Sequence, residues 1–338
     1  MRRREFMLYP GGGLMAQAVA VSPFGVFFSS LAATAQQTER IARVGFLTPQ
    51  DPFPLWIDAF RGGLHDLGYV EGKNIIIELR SAAGKKELYQ PLIAELLGLK
   101  VNVFMTWSTP TSMALKQAVD STPIVSISGD PVGMGLAASL SHPEGNLTGF
   151  AILTEELEAK QVQLLKDTVP GLTRIAVLWN PTNPAMKPDL DFVQNASSHA
   201  GLTVQSLPVQ DANGFDRAMS AIPREETAAL LVLRDDLFDL EANRKRIAAS
   251  AIARRLPTMF GWREGVQAGG LLAYGVNFSD LFRRASGYVD KILKGVAARD
   301  LPVSQPEHFE LFVNITTARA IGIPVPTSLL AIADEIIE

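Results

Sequence analysis

The chain contains no cysteine. That absence excludes disulfides, thiolate metal sites, cysteine nucleophiles and anchoring through a lipidated N-terminal cysteine. Histidine is almost as scarce, and His65, His142, His199 and His308 lack the short spacings of a metal site, so no metal is expected. Basic residues do not exceed acidic ones (31 Lys and Arg against 35 Asp and Glu, formal net charge −4), which argues against a nucleic-acid partner. None of the GxSxG, GxxxxGK(S/T) and HExxH patterns occurs, and no histidine lies near a candidate nucleophile; neither catalysis nor a cofactor is expected. Gly133-Met134-Gly135-Leu136-Ala137-Ala138 imitates the dinucleotide glycine pattern. It follows a fourth strand instead of a first, and Pro143 leaves its helix little room, so nucleotide binding is rejected.

What the N-terminus does contain reads as an export signal. Arg2, Arg3 and Arg4 precede Glu5 and Phe6, then an apolar stretch, then the small residues Ala33, Thr34 and Ala35. Basic head, apolar middle and small-residue end define a cleaved leader over residues 1–35, twin-arginine-like in its head. The mature chain would start at Gln36. Losing three arginines and one glutamate moves the charge from −4 to −6. Pro23, Gly25, Ser29 and Ser30 make the stretch a poor permanent anchor, and no second stretch of spanning length follows. A periplasmic, soluble and monomeric protein is expected.

From Ala42 onward, short β-branched runs alternate with polar loops and amphipathic helices, the pattern of parallel α/β sheets. The first set of strands reads Ala42–Leu47, Asn74–Leu79, Val101–Thr106, Pro123–Ile127 and Leu147–Phe150. A second reads Arg174–Trp179, Thr203–Val209, Ala228–Leu233, Pro257–Phe260 and Leu271–Tyr274, with Phe309–Ile315 as a later strand. Helices are expected from Pro54 to Gly68, over Leu281–Leu293, and at Thr316–Ile321 and Ser328–Ile337. About 300 residues in two such sets imply two doubly wound, Rossmann-like lobes. Arg244, Lys245 and Arg246 read as a solvated face.

Ligands of open parallel sheets bind beyond the carboxyl ends of the strands, where helix N-termini offer free amides. The sharpest such loop is Trp107-Ser108-Thr109-Pro110-Thr111, where Thr109 suits an N-cap and Pro110 the first helical position. Hydroxyls and amides there fit a carboxylate, although they serve equally well as helix caps. Asp130, Asn183 and Asp236 sit in corresponding loops; an aspartate can receive an ammonium group or cap a helix. Trp56, Trp107, Trp179 and Trp262 lie at this same end, which suits a flat ligand or the packing of lobes.

The ordered motifs Phe60-Arg61-Gly62-Gly63-Leu64, Gly129-Asp130-Pro131-Val132, Pro143-Glu144-Gly145-Asn146-Leu147-Thr148-Gly149, Val177-Leu178-Trp179-Asn180-Pro181 and Tyr288-Val289-Asp290-Lys291-Ile292-Leu293 carry a family resemblance. Over essentially its whole length the chain resembles the ABC transporter substrate-binding proteins whose members include tryptophan- and tyrosine-binding proteins. The resemblance implies a periplasmic binding protein type 1 fold with three crossings between lobes and a ligand cleft between them. It puts residues 36–149 plus 277–305 in one lobe and 150–276 plus 306–338 in the other. It also implies a small carboxylate-bearing solute, amino acids and aromatic acids included, captured by hinge closure and handed to a membrane permease with its ATPase. A ligand sensor that hands its closed form to a receptor is the alternative. In that frame Ser108, Thr109 and Thr111 are expected to meet the anion, Asp130 and Asp236 the cation, and Asn183 to orient; Trp56, Trp107 and Tyr274 complete the ligand set. Trp107 and Ser108 stand where many relatives have a small residue, and Pro188 interrupts the helix after Asn183; both set pocket volume.

Overall fold

The computed structural model describes residues 41–152, 155–223 and 228–338. The expected leader, residues 1–35, lies outside them. The elements follow in chain order as β1 (Ala42–Thr48), α1 (Pro54–Asp66), β2 (Ile75–Ser81), α2 (Tyr89–Gly98), β3 (Val103–Trp107), α3 (Thr109–Ala118), β4 (Ile124–Ser128) and β5 (Leu147–Ala151). The next group is α4 (Glu155–Thr168), β6 (Arg174–Trp179), α5 (Met186–His199), β7 (Thr203–Pro208), α6 (Gly214–Ser220), β8 (Ala228–Val232), α7 (Asp236–Asp239), α8 (Glu241–Ala253), β9 (Thr258–Phe260), α9 (Arg263–Gln267) and β10 (Leu272–Val276). The chain closes with α10 (Phe278–Leu293), β11 (Phe309–Asn314), α11 (Ile315–Ile321), α12 (Thr327–Ile332) and β12 (Glu335–Ile337).

Two sheets result, ordered β2-β1-β3-β4-β5 and β12-β11-β10-β9-β8-β6-β7. Every pairing between these strands is parallel except β10 with β11. The central strands β3, β4 and β8 are buried at every residue, as strands covered by helices on both faces must be. This is the α/β architecture the alternation announces.

The first sheet recruits α10 from far along the chain. Phe46, Trp56, Phe60 and Leu64 pack in one core with Leu281, Phe282, Ala285 and Val289. The helices α1 and α10 approach so closely at Gly63 that a Cβ there would sit 2.2 Å from Ser286 Oγ and 2.7 Å from the Arg283 carbonyl oxygen. Only glycine fits this crossing. The second sheet has cores on both faces, one around Val177, Leu231 and Val313 and one around Leu178, Phe238 and Phe260.

The chain thus passes between the sheets after β5, between β10 and α10, and before β11. The β10 strand leaves the second lobe and β11 returns to it, so the two run in opposite senses side by side. That is why β11 is antiparallel to β10 in an otherwise parallel sheet.

Three local expectations need correction. The helix expected over Ser328–Ile337 ends at Ile332, because Asp334 exchanges hydrogen bonds with the Leu311 backbone and the β-branched Ile336 and Ile337 then pair with β11. Ser108, not Thr109, holds the N-cap position of α3, without a side-chain capping bond, and Thr109 is the first helical residue with Pro110 second. Arg244 does not lie on a solvated face: it is 7% exposed, lies 5.0 Å from the Phe53 ring centre and donates to the Asp239 carbonyl. The Gly133 segment forms turns with no helix, consistent with its rejection as a dinucleotide loop.

Candidate functional site

The C-terminal ends of both sheets face each other, and contacts join them. Lys86 Nζ, ahead of α2, donates to Thr182 Oγ1 at 3.2 Å in the loop after β6. Ser108, at the N-terminus of α3, and Asp236, the first residue of α7, line the same cavity from opposite lobes. The Arg234 guanidinium lies 5.2 Å from the Trp56 ring centre. With these contacts made, the lobes are shut on one another.

Between them lies a cavity of about 80 Å³. Ser108, Thr109 and Gly129 line it from the first lobe, and Glu158, Gln161, Asn183, Asp189, Arg234, Asp235, Asp236 and Asp239 from the second.

Ser108 has a φ of 70°, outside the regions comfortable for a residue with a Cβ. Its carbonyl accepts from the Ser112 backbone amide at 3.1 Å and from Ser112 Oγ at 2.7 Å. Ser108 lines the cavity from this turn. Thr109 is buried, and its Oγ1 accepts from the Gly129 amide at 3.2 Å, tying the α3 start to the loop after β4. Thr111 is buried in the same turn; its hydroxyl donates to the Trp107 carbonyl and lies 3.0 Å from Ser108 Oγ.

Asp235 organises the facing wall. Its Oδ1 accepts from Asn180 Nδ2 at 2.8 Å and from the Leu237 amide at 3.0 Å, capping α7. Its Oδ2 accepts from Asn183 Nδ2 at 2.7 Å. Asn183 Oδ1 in turn accepts from the Ala185 amide at 3.1 Å. Asn183 is therefore part of the scaffold, and it reaches the cavity with both ends of its amide engaged.

Asp236 is different. Its Oδ2 is buried without a hydrogen-bond partner among the described residues. Burial, then the charges of Asp235 and Asp239, push its pKa up to about 8, against the opposing pull of Ser108 and Arg234. Asp239 is pushed up to about 6 by burial, and Arg234, 2.9 Å away, together with Arg244 restrains it. Asp189 reaches about 8, from burial and from the charges of Asp130 and Asp235. Glu158 is raised by burial and by Asp189. A cavity this acidic, with Arg234 its one lining cation among the described residues, favours a positively charged guest.

Other expected ligand residues stand elsewhere. Trp107 is fully buried, its ring 6.0 Å from Phe46, 5.9 Å from Trp56 and 5.6 Å from Phe282. It is the centre of an aromatic core beneath the loop. Trp56 stacks on Phe278 at 4.8 Å and borders a second cleft of about 190 Å³, with Trp262 and Glu310, beside the first. The Tyr274 ring stacks on Phe309 at 6.0 Å, and its carbonyl accepts from Gln161 Nε2 at 2.7 Å. Asp130 lines neither cavity: its Oδ1 accepts from the Gly133 amide at 2.8 Å within its own turn.

The sequence reading passed over Glu158 and Asp189. Each sits on the buried stripe of its helix, Glu158 with Gln161, Val162 and Leu165, and Asp189 with Met186, Leu190 and Val193. A carboxylate where a 3.6-residue period demands an apolar side chain was the available signal.

Comparison with known proteins places this arrangement. Residues 51–337 match the family described as ABC transporter substrate binding protein. A tyrosine-binding protein of Clostridioides difficile is 24% identical over 264 residues, 78% of this chain and 75% of its own length. A Streptococcus pneumonia ABC domain solved with L-Trp superposes with a TM-score of 0.81 at 23% identity, covering 88% of this chain and 99% of that one. A ligand-free, open substrate-binding protein of Clostridium difficile gives 0.66 at 23% identity, covering 88% and 99%.

Proposed function

This chain belongs to the family of ABC transporter substrate binding proteins, and we propose that it is the periplasmic solute-binding component of an import system. Its solute is a small molecule bearing an ammonium group and a carboxylate, an amino acid being the simplest case. The observation that carries this reading is that Ser108, from one lobe, and Asp236, from the other, line one cavity.

The roles follow from chemistry. Ser108, Thr109 and the α3 N-terminus supply hydroxyls, amides and partial positive charge for a carboxylate. Asp236, its Oδ2 unpartnered, accepts an ammonium group. Asn183 acts through Asp235, which it holds in place. Because the anion wall belongs to one lobe and the cation wall to the other, a solute touching both stabilises the closed form over the open one. Binding and release involve no covalent step. The closed form is the signal a membrane permease with its ATPase would read. Names carried by relatives, for tyrosine and L-Trp, agree with an amino-acid solute.

Melting the protein after unfolding and refolding it free of carried-over solute tests the reading. A true solute at about a hundred times its Kd adds about 2.7 kcal/mol, or about 5 °C or more. Flat melting curves across amino acids, aromatic acids and small carboxylates would refute it.

A further inference from the structure

Asp235 divides the acid groups of the cavity into two sets. Its own oxygens are filled by Asn180, Asn183 and the Leu237 amide. To one side stand Asp236 and Asp239, and Asp239 is answered by Arg234 at 2.9 Å. To the other stand Glu158 on α4 and Asp189 on α5, only 5% and 9% exposed. Glu158 Oε2 and Asp189 Oδ1 are enclosed with no hydrogen-bond partner among the described residues, and both side chains line the cavity. Among the described residues no salt bridge reaches either.

The pair does not earn its place by holding α4 to α5. Val162, Leu165, Leu190 and Val193 share an apolar core that already does so. Two buried carboxyl groups without a cation are unfavourable, and an α-ammonium group held at Asp236 leaves them unanswered.

Resting on the reading of this cleft as a solute site, we propose that it is a two-cation site: the solute carries a second protonated nitrogen, ammonium or guanidinium, seated between Glu158 and Asp189 while the first meets Asp236. Two kinds of solute have this chemistry. One is an α-amino acid with a basic side chain, whose carboxylate meets Ser108 and Thr109; the other is a diamine. Without a cationic guest, burial keeps both protonated, helped by the charge of Asp189 for Glu158 and by those of Asp130 and Asp235 for Asp189. The arriving cation displaces those protons into solution.

Titration calorimetry on the solute-free protein tests this with lysine, arginine and putrescine against leucine, tyrosine and tryptophan. A dication is expected to bind about tenfold or more tightly than any neutral-side-chain amino acid. Lysine ahead of putrescine assigns the amino-acid class, and the reverse assigns the diamine class. Glu158→Gln and Asp189→Asn should each erase the advantage without lowering the melting temperature, since each removes a buried unpaired acid. Binding heats of the dication should depend on buffer ionisation enthalpy, reporting proton release, and less so in the variants. Tighter binding of tryptophan, tyrosine or leucine, or dication binding indifferent to both variants, would overturn the two-cation assignment and leave solute capture standing. No binding by any of these probes would overturn both.

Discussion

The guanidinium of Arg234 lies 3.9 Å from the centre of the Phe278 ring. Arg234 follows β8 of the second sheet, whereas Phe278 opens the helix that packs on the first, so this contact latches one lobe to the other. The same guanidinium holds Asp239 and leans on Trp56. Replacing Arg234 with methionine should favour the open form, lowering solute affinity about tenfold or more and raising the radius of gyration of the solute-bound protein. Small-angle scattering with and without solute checks it.

Asp235→Ala strands the amides of Asn180 and Asn183 and uncaps α7. Buried and unpartnered, these groups should cost about 3 kcal/mol of stability or more. Urea unfolding would read the loss, and Asp235→Asn should restore part of it.

Trp107→Ala should cost about 3 to 5 kcal/mol, the usual toll of emptying an aromatic core position. Trp107→Phe should lower the melting temperature while leaving solute affinity within about twofold, because the ring lies beneath the cavity instead of in it. A calorimetric Kd beside a melting curve separates the two effects.

Solute-free stability should fall as pH rises. Asp189 faces Glu158 from α4, Asp130 from the loop after β4 and Asp235 from the loop after β8, and its folded pKa of about 8 lies above the ordinary 3.8. A raised carboxyl pKa means the unfolded chain ionises first. The stabilisation is complete below about pH 4 and is lost as pH climbs through about 8. Wild type and Asp189→Asn should therefore melt alike near pH 4 to 5 and diverge toward pH 8, with the variant the more stable.

Gly149 has a φ of 132°, and a Cβ there would sit 2.0 Å from the Ser126 carbonyl oxygen in the neighbouring strand. Gly149→Ala should cost about 3 kcal/mol or more, or prevent folding, as circular dichroism of the purified variant would show.

Most strands were legible because fully buried parallel strands are short β-branched runs bounded by turn residues, as Arg174–Trp179 is in both sequence and structure. The last helix was overextended because Ser328–Ile337 has no internal breaker. What ends it is Asp334 bonding to Leu311, a partner 23 positions away, which local pattern cannot reveal. In the cleft, the Ser108 and Asp236 loops were found by their place after strands, a topological rule. The indoles misled, since a tryptophan after a strand looks the same whether it faces the cleft, as a ligand shelf would, or the core, as Trp107 does. Glu158 and Asp189 escaped because a helix face was judged by its apolar majority.

The crossing strands carry one more consequence. At the boundary between lobes Asn277 donates its amide to the His308 carbonyl at 3.1 Å, and Val276 opposes Phe309, so two of the three connections are laced into a two-stranded ribbon. Such a ribbon behaves as a leaf spring: compliant when flexed across its flat face, stiff when sheared along its edge. The lobes then have one easy direction of travel and resist the others. A docking partner could sense occupancy from a single angle, and substitutions in this ribbon would retune how firmly the cleft stays shut.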